Sequence, residues 1–185
     1  MSILPIVRAG HPALSSPSKP VADATDAAIA QLAQDMAETL QAAGGVGLAA
    51  PQIAVPLRVV LFYVPEHRVS DIADDGPQPP TLLINPEIEP LDQEMVEGWE
   101  GCLSLPGLCG LVPRHARIRY RGLDRAGNRI ERVAAGFHAR VVQHECDHLD
   151  GVLYPARMRS LASLGYAEEY SAARAAAAAV QKEPV

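Results

Sequence analysis

The stretch that decides this chain's fold and chemistry is Gln143-His144-Glu145-Cys146-Asp147-His148. It contains His-Glu-x-x-His. A helix turns about 100° per residue, so His144 and His148 would project from one face a single turn apart. Two neutral imidazoles so placed can hold one divalent metal, with Glu145 beside them to handle a proton of water at that metal. The surroundings support a helix over about 136–149. Phe137, Val141, His144 and His148 are spaced so that the histidines continue an apolar face. Gly136 precedes the segment and Gly151 follows it, as a helix end requires. Inward-facing histidines need partners, and a metal supplies one. A core histidine bonded to a backbone carbonyl would account for either residue alone, but less well for both with a glutamate between them.

Two histidines leave a catalytic metal one protein ligand short, since such sites take three and keep a position for water. The chain has three cysteines, Cys102, Cys109 and Cys146. Cys146 falls on the far side of the helix from both histidines. Cys102 lies in Glu100-Gly101-Cys102-Leu103-Ser104-Leu105-Pro106, where a glycine lets the backbone approach a neighbour closely. Cys109 lies in Pro106-Gly107-Leu108-Cys109-Gly110, which reads as a turn. The residues alone leave both candidates open.

Three separated segments together resemble the peptide deformylase family. They are Gly45-Val46-Gly47-Leu48-Ala49-Ala50-Pro51-Gln52, then Glu100 to Pro106, then Gln143 to Gly151. Ile3-Leu4-Pro5-Ile6-Val7 and Ile84-Asn85-Pro86 are similar as well, so the resemblance covers roughly 3–158. It implies that Cys102, His144 and His148 are the metal ligands and that Glu145 is the general acid and base. It further implies that Gln52 and the backbone N–H of Leu103 stabilise the oxygen of the group under attack, and that Val46, Gly47 and Gly101 border the substrate. Read from the residues alone, Gln52 would be an ordinary surface residue. The implied reaction removes the N-formyl group from the first methionine of a nascent polypeptide and releases formate. The implied cofactor is one divalent ion, iron(II) first, with zinc, nickel and cobalt compatible with a thiolate and two imidazoles. One departure is Cys109, which stands where many bacterial members carry an arginine thought to hold the substrate backbone. Around 106–114 and 136–151 the chain looks closer to the mitochondrial and plant-organelle type.

Two rivals remain at this level. Another His-Glu-x-x-His metallopeptidase would cleave internal peptide bonds. A non-catalytic, fully ligated structural metal would resist a hydroxamate, which needs an open position. Gly44-Gly45-Val46-Gly47 lacks the lysine and hydroxyl ending of a phosphate loop. Glu100 is read as the partner of a cation such as Arg114, Arg117 or Arg119. Trp99 is read as packing, and His11, His67, His115 and His138 as surface or capping residues.

The rest of the chain fits one α+β domain over 1–185, with mostly antiparallel strands around a central metal-binding helix and helices near both ends. The spacing of Ile29, Leu32, Met36 and Leu40 predicts a helix over 25–42, capped by Asp23 or Thr25. Strands are expected at 57–64, 81–88 and 94–100, and a hairpin at 116–123 and 129–134. Residues 65–80, rich in proline and aspartate, read as a mobile loop. The alanine-rich tail, about 160–182, is expected to be a loosely docked helix that caps the fold, or contacts a partner such as the ribosome. The net charge of −6 and the lack of a basic run argue against direct nucleic-acid binding. No apolar stretch approaches a membrane span. A thiolate metal ligand favours a reducing compartment, since oxidation would destroy the site. The first twenty residues carry four prolines that would break a transit helix, so they are read as part of the fold. The expected location is the bacterial cytoplasm, with an organelle as the alternative.

Overall fold

Residues 59–64, Val-Val-Leu-Phe-Tyr-Val, show no alternation of polar and apolar side chains, which is the pattern of a strand covered on both faces. The computed structural model describes residues 2–180 and explains the pattern. The order is α1 (Ala27–Ala43), β1 (Gly47–Ala49), β2 (Val59–Val64), β3 (Gln78–Pro90), β4 (Met95–Cys102), β5 (Leu105–His115), β6 (Arg117–Leu123), β7 (Arg129–Ala135), α2 (Gly136–Leu149), β8 (Gly165–Tyr166) and α3 (Ala167–Val180). Strands β1-β2-β3-β6-β7 form one antiparallel sheet, and β4-β5-β8 form a second. Val59 and Leu61 point to one face of β2, where they join Ile29, Leu32, Met36 and Leu40 of α1 in one core cluster. Val60 and Phe62 point to the other, against Ala139, Val142, Cys146 and Leu149 of α2. Each fully buried side chain of this size contributes about 1.5–3 kcal/mol. The α+β expectation holds, with α2 packed between the sheets.

Several expectations shift in detail. The α1 cap is Asp26, whose side chain accepts the Ala28 N–H at 2.8 Å. Asp23 instead closes the preceding turn by accepting both the N–H and the hydroxyl of Thr25. The stretch 106–110, expected to turn, is extended within β5, where Gly101 pairs with Cys109 and Cys109 pairs with Gly165. The register slips between Gly101 and Cys102, so Cys102 stands at a bulge that re-aims its side chain. The tail is not helical from 160. Ser160 caps a short turn over Leu161–Ser163, β8 follows, and α3 begins only at Ala167. Positions 181–182 of the expected helix lie outside the described residues. Residues 65–80 are tied down rather than loose. The buried Asp75 carboxylate accepts from the Ser70 N–H, the Ser70 hydroxyl and the His138 N–H at the start of α2. Gly136 opens α2 at φ +54°, and a Cβ there would collide with that carboxylate.

The N-terminal segment belongs to the fold, as expected. Val7 donates its N–H to the Gln52 carbonyl at 2.8 Å and Ala9 donates to the Ser104 carbonyl at 2.9 Å. Residues 7–9 thus strap the 45–52 segment to the end of the β4–β5 turn. Among the described residues no helix is long and apolar enough to cross a membrane.

Candidate metal centre

Every residue from Val141 to Leu149 is buried, including two histidines, a glutamate and an aspartate. A helix buried all round can carry such groups only if each has a partner. Cys102, His144 and His148 supply one solution, since their ligand atoms all lie within 4.8 Å of one another. The Cys102 Sγ is 3.4 Å from His148 Nε2. His144 turns its Nδ1 away to Glu100, at 2.8 Å, which leaves Nε2 for a metal. Cys109 and Cys146 are not in this group. Cys109 lines the adjoining cleft and Cys146 packs into the core.

The electrostatics fit a cation. Burial disfavours a charged His144, but the Cys102 sulfur, Glu100 and Glu145 together outweigh it and raise its pKa to about 10. These anionic groups favour positive charge at His144, a proton that a bound ion would displace. Burial, reinforced by the charges of His144 and Arg114, keeps His148 well below the ordinary histidine value. It is thus neutral, the state required of a ligand. Burial pushes Glu145 up to about 7, against the pull of His144. Its Oε2 and the Nδ1 of His148 have no hydrogen-bond partner among the described residues. The Glu145 carboxylate approaches the backbone of β1 so closely that a Cβ at Gly47 would overlap it.

Gln52 is buried, not a surface residue, on the short turn Ala50–Ile53. Its Oε1 accepts the Ala49 N–H at 2.8 Å, which fixes the amide's orientation. Its Nε2 then faces the metal group, donating to Ser104 Oγ at 3.2 Å and lying 3.5 Å from Cys102 Sγ. Val46, Gly47, Gln52, Gly101, Leu103 and Glu145 all line one cleft of about 670 Å³.

Behind the ligands lies a buried ion network that sequence reasoning caught only in part. Arg114, one of three candidates, is the Glu100 partner, bound through Nε at 2.8 Å and Nη2 at 2.9 Å. It also donates to Asp147 at 2.6 Å. Arg140 joins through Glu100, and Arg157 through Asp147. Burial alone would raise the Glu100 carboxyl, but bonds from Arg114 and His144 and their charges bring it down to about 2. Ser104 and Asp147 stood inside the quoted motifs, yet nothing in their spacing marked them. Arg117 and Arg119 pair elsewhere, with Asp74 and with Glu89 and Glu131. Among the other histidines, His11 caps a turn as expected, accepting from the Ala13 N–H. His138 departs from the expectation. It is buried, 3.1 Å from the Tyr120 hydroxyl, because α2 is covered on this side too, by Tyr120 of β6. Trp99 packs as expected, against Tyr170 of α3 at 4.5 Å between ring centroids, and both line the cleft. The first turns of α3 are therefore docked.

Comparison with known proteins gives the family. The family model for polypeptide deformylase matches residues 3–163. Peptide deformylase 1 of Bordetella pertussis is 55% identical over 164 residues, 88% of this chain and 92% of that protein. Peptide deformylase 1 of Nitrosomonas europaea is 51% identical over 166 residues, covering 90% and 93%. The crystal structure of peptide deformylase from Ehrlichia chaffeensis in complex with actinonin aligns with a TM-score of 0.80 at 38% identity, covering 87% of this chain and 91% of that one.

Proposed function

The chain belongs to the polypeptide deformylase family and is a hydrolase that removes the N-formyl group from the first methionine of new polypeptides, and we propose that Cys102, His144 and His148 hold the metal it uses. The observation that carries the assignment is the three convergent ligand atoms with the unpartnered, buried Glu145 carboxylate oxygen beside them. When bound, the ion supplies Lewis acidity and lowers the pKa of water at the site. Glu145 takes the proton from the attacking water and returns it to the leaving amine. The Gln52 amide, which donates to Ser104 Oγ and approaches Cys102 Sγ, turns an N–H to the developing oxyanion. The Leu103 N–H is the second donor, each being worth on the order of 3 kcal/mol in the transition state. Val46, Gly47 and Gly101 border the substrate, and the missing Cβ at Gly47 is what lets Glu145 sit against it.

Iron(II) is the proposed native ion. The thiolate donor supports it, and zinc, nickel and cobalt fit the same ligands. The thiolate also supports a reducing compartment, and the bacterial cytoplasm is the proposed location. A single catalytic domain over 1–185 is supported by β2, which lies between both core clusters. A ribosome contact is proposed for α3 beyond its docked first turns. Its support is the substrate itself, which emerges from the ribosome. Ending the chain after Ser171 should then slow release from ribosome-bound chains and not from free peptides.

The decisive experiment is formate release from a short formyl-methionyl peptide by protein kept without oxygen and loaded with iron(II) or nickel. Release that vanishes in Glu145→Ala, with metal still bound, is expected. No release from fully metallated wild type would sink the assignment.

A further inference from the structure

Four charged side chains line the active cleft: Arg68, Glu100, Arg140 and Glu145. Three have work already. Glu100 is bound by Arg114, Arg140 and His144. Arg140 spends its guanidinium on Glu100 and on the carbonyls of Val96, Gly98 and Val112. Glu145 faces the metal group. Arg68 is different. Among the described residues no carboxylate pairs with it, and its guanidinium carbon lies 4.1 Å from the centroid of the Phe137 ring. Stacking on an aromatic face holds a guanidinium in place and leaves the N–H donors along its edge free. The segment beneath it is also fixed. The Arg68 N–H bonds the Pro65 carbonyl at 3.0 Å, and Asp75 ties the following residues to the His138 N–H, one residue beyond Phe137. The stretch 106–109, which also lines the cleft, has no charged side chain.

Phe137 precedes His144 by seven residues on α2, about 10 Å along the helix axis. An extended peptide covers that distance in about three residues. We propose that Arg68 is a specificity-determining residue that selects formyl-methionyl chains carrying an acidic side chain at the second or third residue. The inference rests on the deformylase reading and adds to it a preference beyond the methionine. Arg68 touches neither the metal ligands nor Glu145, so the discrimination resides in KM. An exposed ion pair of this kind gives an advantage on the order of two- to fivefold. It shrinks with added salt.

The test uses metal-loaded full-length protein and two series of C-terminally amidated formyl-methionyl tetrapeptides, with Glu, Gln or Lys at position two or at position three. The expected order of kcat/KM is Glu above Gln above Lys in at least one series, carried by KM, with the order inverted in Arg68→Glu and abolished in Arg68→Gln. A merely structural arginine would not produce an inversion. Equal constants across both series, or an order that survives Arg68→Glu, would overturn the proposal. A free-acid peptide runs beside its amide. If only the terminal carboxylate is favoured, Arg68 reads chain ends and the proposal falls. No formate from any peptide would instead sink the deformylase reading itself.

Discussion

Glu100 accepts the Nδ1–H of His144 at 2.8 Å, and this single bond sets which nitrogen of that histidine is left for the proposed metal. Glu100→Gln keeps the shape but removes the charge that fixes the tautomer. Loss of such an outer partner costs about 10- to 100-fold in metal affinity. Competition with a chromophoric chelator measures it, and an unchanged affinity would show that Glu100 serves only the arginines.

Gly47→Ala should separate metal binding from turnover. The added Cβ overlaps the Glu145 carboxylate, and the ligands lie elsewhere. A misplacement near 1 Å of a reacting group costs on the order of 100-fold. Metal content should stay at wild-type level while formate release falls by about that factor. Near-normal release would mean that Glu145 can swing clear without loss.

Arg114→Met should destabilise the fold by about 3–5 kcal/mol, because it leaves Glu100 and Asp147 charged and buried without their shared cation. Urea denaturation reads this directly. A loss below about 1 kcal/mol would mean that Arg140 and Arg157 take over the two carboxylates.

Stability should also fall with acid through His138. Burial and the nearby Arg132 charge lower its pKa from 6.5 to about 4, against the pull of Asp75. The folded state therefore binds fewer protons than the unfolded chain between those values. The contribution is fully present above pH 6.5 and is lost as the pH falls towards 4. It amounts to roughly 3 kcal/mol. Urea midpoints for wild type and His138→Gln should converge as the pH drops through this window. Parallel curves would contradict the assignment.

Much of this was legible in the residues because periodicity and spacing are local. The run at 59–64 announced a strand covered on both faces, and the apolar spacing of α1 announced its core side. His144, Glu145 and His148 needed only helical geometry to come together. What failed was whatever depends on a distant partner. The 106–110 stretch looks like a turn until β4 and β8 pair with it on either side. Gln52 looks like surface until Ala49 and Ser104 enclose its amide. Residues 65–80 look loose until one aspartate anchors them to α2. Arg68 carries no local signal at all, since its position comes from a ring sixty-nine residues further along the chain.

The strap formed by Val7 and Ala9 joins the Gln52 segment to the Ser104 segment through two backbone bonds. Neither the metal ligands nor Glu145 takes part in it. The spacing between Gln52, the proposed oxyanion donor, and the sulfur-bearing turn is thus governed from the start of the chain, by groups that every residue type except proline offers. Sequence can drift freely there while the gauge it sets stays constant, whereas an added or deleted residue between Ile6 and Gly10 would shift the two walls of the site out of step.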